Sequence, residues 1–132
     1  MRNKPCLTWS DVKTMMAAAQ AEAVKNNWSV AIAILDDGGH LLGFERMDGV
    51  GAISAEVAVG KARTSALTKR PSKFFEDRVK ERPAFVSFPA GTLIQGALPI
   101  IYQNECVGAI GVSGVQSHED EQIAQAGIKA LG

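Results

Sequence analysis

The sequence predicts an α+β domain, with helices set between and after antiparallel hairpins, not the alternating strand–helix order of a doubly wound sheet. Three observations carry this. Apolar residues recur at spacings of three and four near the N-terminus, in the middle and at the C-terminal end, which is the period of a helix with one buried face. Two runs of β-branched and apolar residues fold back across short polar turns. No linker, internal repeat or low-complexity tract divides the 132 residues, so residues 1–132 read as one domain.

The elements follow in order. Thr8 suits a helix N-cap, with Asp11 three residues on in the manner of a capping box. Val12, Met15, Met16, Ala19 and Ala23 then mark one apolar stripe of a helix from Ser10 to Asn26. Met15 and Met16 are read as core packing, not as a soft-metal or haem-sulfur site. Trp28 to Leu35 and His40 to Arg46 form a hairpin across Asp36-Asp37-Gly38-Gly39, where glycine supplies the positive φ of a tight turn. Met47 to Ile53 is a loop, and Ser54 is taken as the N-cap of a second helix ending before Pro71. Its apolar face is assigned to Val57, Ala58, Ala62, Ala66 and Leu67, and its polar face to Lys61, Arg63, Thr64 and Ser65. A short third helix runs from Ser72 to about Lys80, and an irregular stretch follows between Pro83 and Pro89. Leu93-Ile94 is read as a short strand. Leu98 to Tyr102 and Cys106 to Val112 make a second hairpin across Gln103-Asn104-Glu105. A last helix starts at Ser117, with Glu119, Asp120 and Glu121 at the positive end of its dipole.

Charge narrows the function. Fourteen Lys and Arg balance fourteen Asp and Glu, with a pI near 6.7. A dedicated nucleic-acid binder would carry a basic excess or stripe, and a membrane sensor a polybasic cluster. A neutral surface has little long-range repulsion, so self-association is permitted. No apolar run reaches the roughly 18–20 residues of a membrane helix. The basic N-terminus is not followed by a secretory apolar segment, so the expected compartment is the cytoplasm. Cys6 and Cys106 are expected as reduced thiols.

The chemistry-bearing residues are few. His40 and His118 have no metal-ligand spacing, and no nucleophile elbow, zinc-protease motif, P-loop or dinucleotide fingerprint occurs. No metal site and no catalytic residue is assigned. Gly108 and Gly111 fall inside a strand, which marks either a tight helix-on-sheet contact or a ligand approaching the backbone. Arg46 and Asp48, with Gly49 and Gly51, lead into a helix N-terminus whose free N–H groups can hold an anion. Lys61, Arg63 and Thr64 follow within three turns. Taken singly, these residues read as an Arg46–Asp48 ion pair and a solvated helix face. Taken together they suggest a pocket for a carboxylate-bearing ligand.

Four ordered blocks resemble one family. They are Ala31 to Gly49, the Lys61-Ala62-Arg63-Thr64-Ser65-Ala66 segment, Gly96-Ala97-Leu98-Pro99-Ile100, and Gly108 to Gly114 with Asp120-Glu121 after it. The chain is similar over nearly its whole length to the GlcG/HbpS family, also called haem-degrading domains (DUF336), which includes the C-terminal domain of PduO-type proteins. The resemblance implies a profilin-like α+β fold, with an antiparallel sheet of about five strands and helices packed on it. It also implies a homo-oligomer that binds a small molecule or a tetrapyrrole such as haem, with no nucleic-acid or membrane partner. The ligand-binding set expected is Arg46, Asp48, Lys61, Thr64, Gly96, Ala97 and Pro99. Haem-binding members carry their axial histidine on the first helix. Here that helix has none, so the cofactor stays unassigned, with haem as one candidate. Gln95-Gly96-Ala97 also stands where the family has a Gly-Gly run, implying a differently shaped pocket. Two other readings are kept. One is an enzyme acting on a small organic acid, with Arg46, Lys61 and Arg63 holding carboxylates and Asp36, Asp48 or Glu56 as acid or base. The other is a scaffold module with a vestigial pocket.

Overall fold

A computed structural model describes residues 1–132. Helix α1 (Trp9–Lys25) leads into strands β1 (Ala31–Asp36) and β2 (Leu41–Arg46). Helices α2 (Ile53–Thr68) and α3 (Ser72–Glu81), a 3₁₀ turn (Pro83–Ser87), strands β3 (Ala97–Tyr102) and β4 (Glu105–Ser113), and helix α4 (Ser117–Lys129) complete it. The strands form one antiparallel sheet in the order β2-β1-β4-β3. The α+β reading therefore holds, with four strands instead of five.

Leu93-Ile94 is not a strand. Its loop spends its backbone groups on helices. The Thr92 N–H donates to the Gly60 carbonyl at 3.1 Å, and the Gln95 N–H donates to Glu76 Oε1 at 3.1 Å. Held at both ends by α2 and α3, the loop is not laid along the β3 edge, and β3 pairs only with β4.

Local signals explain the other elements. Thr8 and Asp11 make the reciprocal capping box of α1. That helix ends in a Schellman motif. Asn27 sits at φ 58°, Trp28 N–H bonds Ala23 O at 2.9 Å, and Asn27 N–H bonds Val24 O at 3.1 Å. This is why the first strand starts at Ala31 and not at Trp28. The first hairpin turn is tied by Asp36 Oδ1, which accepts from the Gly38 and His40 N–H groups at 2.9 Å each. The second turn uses Gln103 (φ 50°) and Asn104 (φ 63°) as its two central residues. Paired left-handed residues are the type I′ pattern that matches strand twist. Ser54 is not the N-cap of α2. The helix begins at Ile53, with Ala52 in the cap position and no side chain capping it.

The sheet is covered on both sides. On one face, α1 and α4 pack over Ile32, Ile34, Ile100, Val107, Ile110 and Val112. On the other, α2 packs over Ala31, Ala33 and Leu35 through Ala58 and Ala62. No helix is long and apolar enough to cross a membrane.

Candidate functional site

The residues singled out for ligand binding lie mostly under α2. Lys61 and Asp120 are 3% and 2% exposed, and they are paired with Nζ–Oδ2 at 3.1 Å. Lys61 Nζ also donates to the Val112 carbonyl at 3.0 Å, and Asp120 Oδ1 accepts from the Val115 N–H at 3.1 Å. The ammonium is thus bonded to the last strand and last helix at once. Burial pushes the Asp120 carboxyl above its ordinary value, against the opposing pull of Lys61 and the Val115 N–H.

The glycines decide how α2 reaches the sheet. A Cβ at Gly111 would lie 2.3 Å from the Ala58 carbonyl and 2.6 Å from the Ala62 nitrogen. Gly111 is therefore the tight helix-on-sheet contact that was one of its two readings. At Gly96, where φ is 141°, a Cβ would lie 2.6 Å from Lys61 Nζ. Any other residue there would displace the ammonium.

Thr64, fully buried, sends its hydroxyl to the Thr92 carbonyl at 2.9 Å and clips the 89–96 loop to α2. The Ala97 N–H donates to Ser72 Oγ at 3.0 Å, joining β3 to the start of α3. Pro99 is half-buried within β3. Arg46 and Asp48 are exposed at the end of β2 and in the loop after it, and they form no ion pair. The structure thus gathers Lys61, Thr64, Gly96 and Ala97 into a packed layer and leaves Arg46 and Asp48 outside it. The face of α2 assigned to solvent is corrected accordingly. Lys61, Thr64 and Ser65 point inward, and Leu67 is exposed. Both cysteines are free thiols. Burial raises the Cys106 thiol, which favours its inert protonated form.

Open concavities lie elsewhere. One of about 280 Å³ runs between α1 and β2, lined among others by Trp9, Lys13, Met16, Gln20, Leu42 and Phe44. Gly43 allows α1 to come this close, since a Cβ there would sit 2.7 Å from Val12 Cγ1. The flanking Leu42 and Phe44 stay exposed, and the Lys13 ammonium lies 4.0 Å from the centre of the Trp9 ring. A second groove, of about 430 Å³, is polar and lies between α1 and α4. The α1–β2 groove was not assigned from the sequence. Its signal was an edge strand carrying Leu41, Leu42 and Phe44 with no polar alternation.

The fold and these grooves define a class: a small α+β domain with helices on both faces of its sheet and two concavities that open beside α1. The family model for the haem degrading protein HbpS-like group matches residues 7–129, and the chain belongs to that family. It is 45% identical over 114 residues to Protein GlcG of Escherichia coli K12, covering 86% of this chain and 85% of that protein. A solved variant of Streptomyces reticuli HbpS is 30% identical, with a TM-score of 0.92, covering 100% of this chain and 91% of that one. PduOC, solved as its haem complex, shares the fold at 24% identity and a TM-score of 0.88, over 96% of this chain and 95% of that one.

Proposed function

We propose that this chain is the subunit of a profilin-like, oligomeric small-molecule-binding protein, and that its ligand is a flat, apolar, acid-bearing molecule of the tetrapyrrole class. The observation that carries the reading is the groove between α1 and β2. Trp9 and Phe44 offer aromatic faces for stacking a planar ring. Leu42 and Met16 offer apolar contact, and Lys13 offers an ammonium for a peripheral carboxylate. The family's description as haem-degrading points to the same ligand class.

The fit to haem itself rests on one donor. Haem iron is held in proteins by His, Cys, Met or Tyr. Helix α1 has no histidine, and Met16, whose thioether borders the groove, is 6% exposed and packs in the core, so it would have to turn outward to hold an iron. When bound, haem would supply iron redox chemistry. The chain's own part is to stack the ring, pair its carboxylate and keep the Met16 side of the groove dry.

The ligand role first given to Lys61, Thr64, Gly96 and Ala97 would require an external carboxylate to displace Asp120 from a buried pair. The α1–β2 groove needs no such rearrangement and is preferred for that reason. Haemin titration followed in the Soret region tests the reading. A saturable shift is expected for the wild type. Trp9→Ala should weaken binding about tenfold, the effect of losing one good stacking contact. Met16→Ala should alter the band position while iron-free porphyrin binding is retained. Neither haemin nor iron-free porphyrin giving a saturable change would remove the proposal.

A further inference from the structure

Helix α3 and the 3₁₀ turn form an arm that packs chiefly on itself, with lesser contact to α2 and β3. Its centre is aromatic. Phe75 stacks on Phe88 at 5.2 Å, Phe88 on Phe85 at 5.6 Å, and Phe74 meets Phe75 edge-on at 5.1 Å. Arginines lie over this cluster: the Arg70 guanidinium is 4.3 Å from the centre of the Phe74 ring and that of Arg82 is 5.4 Å from the centre of the Phe85 ring. Arg78 covers both rings and pairs with Glu81, whereas Arg70 and Arg82 have no carboxylate partner. A guanidinium held against a ring keeps its N–H edge free and pre-oriented for an anion. At the tip, Val86 is 74% exposed.

The charge of the chain is divided at this arm. Residues 69–82 hold six cations against three carboxylates. From Pro83 to Ile128 there is no Lys or Arg at all, while Glu105, Glu119, Asp120 and Glu121 fall in that span. The facing surface is the groove between α1 and α4, about 430 Å³ in volume, where Glu22, with Lys25 3.9 Å from it, and Glu121 share the lining with Lys129, Leu98 and Ala126. Gln122 donates to Glu22 at 2.7 Å, which holds that carboxyl below its ordinary value and keeps it ionised. The root of the arm lies beside this groove. Ser72 is bonded to the start of β3, and Leu98, on β3, lines the groove.

We infer that the arm docks on the α1–α4 groove of a second copy of this chain, with Arg70 and Arg82 meeting Glu22 and Glu121, and Val86 meeting Leu98 and Ala126. Because arm and groove are neighbours at the β3 edge, a two-fold axis there seats each arm on the other subunit's groove. The contact is then isologous and closed. The inference rests on the oligomeric reading above and names the surface that would carry it.

Sedimentation velocity of the full chain over a concentration series tests it, with circular dichroism melts to confirm folding. Arg82→Glu and Glu121→Arg should each raise the dissociation constant at least ~tenfold by placing like charges together, and the two combined should restore most of the affinity. Val86→Asp, at an exposed tip outside the core, should dissociate the assembly without lowering the melt. An assembled wild type unmoved by all these changes overturns the arm interface while the oligomeric reading stands. A wild type that is monomeric throughout overturns both.

Discussion

The two faces of the sheet are built on opposite plans. Under α1 and α4, the contact is made by large side chains: Met15, Ile32, Ile34, Ile110 and Ile123 are all fully buried. Under α2, the contact is made by Ala31, Ala33, Ala58 and Ala62, with Leu35 the one large side chain among them and Gly111 allowing backbone to approach backbone. The first face is stabilised by apolar area, at roughly 25 cal/mol per Å² removed from water. The second buries little area per residue and compensates with close approach and directed bonds. It also takes an ammonium and a carboxylate out of water together. Breaking such a pair on one side leaves an uncompensated charge in the interior. One face therefore resists through bulk, and the other through complementarity of a few polar groups.

The sharpest way to separate the two faces is to unpair the charges. Lys61→Met should cost about 3–5 kcal/mol in urea unfolding, since Asp120 is left buried without its cation. Lys61→Met with Asp120→Leu should recover most of that loss. If the two losses simply add, the pair is not the unit that holds α2 down. A cavity on the other face should act differently. Met15→Ala removes a fully buried side chain and should cost about 2–5 kcal/mol, with no rescue from any charge change under α2. Strong coupling between Met15→Ala and the Lys61 variants would show that the faces are not independent.

The smallest effect lies outside both faces, at the first turn. Burial opposes ionisation of Asp36, but the His40 and Gly38 N–H groups outweigh it and hold its carboxyl below the ordinary value. A depressed folded value contributes stability above the unfolded one, and that stability is lost as pH falls through the folded value. The advantage of wild type over Asp36→Asn should therefore grow from acid toward neutral pH, read as the difference in urea midpoints. A pH-independent difference would mean that the turn is held by glycine geometry alone.

How legible each element is in the chain depends on how far apart the residues that form it lie. The Thr8–Asp11 box and the Asp36 turn are bonds between residues two to four positions apart, so their pattern is visible in the chain itself. The α1 stripe is visible because one face buries bulky residues. Helix α2 has no such contrast. Its inward residues include Lys61, Thr64 and Ser65, which read as solvent-facing by composition. Their partners are remote, with Asp120 lying 59 positions from Lys61 and Thr92 lying 28 from Thr64. Leu93-Ile94 fails for a related reason: β-propensity was present, but the loop's hydrogen bonds were taken by α2 and α3.

The sequence by itself determined the α+β class, the positions of the four helices, both hairpins and the family, because these rest on periodicity, turn chemistry and ordered motif blocks. Only the tertiary structure decided that Lys61 is an internal tie, that the sheet stops at four strands, and that a groove opens between α1 and β2. Those outcomes depend on which distant groups arrive at the same place, and burial there makes a polar residue a structural one.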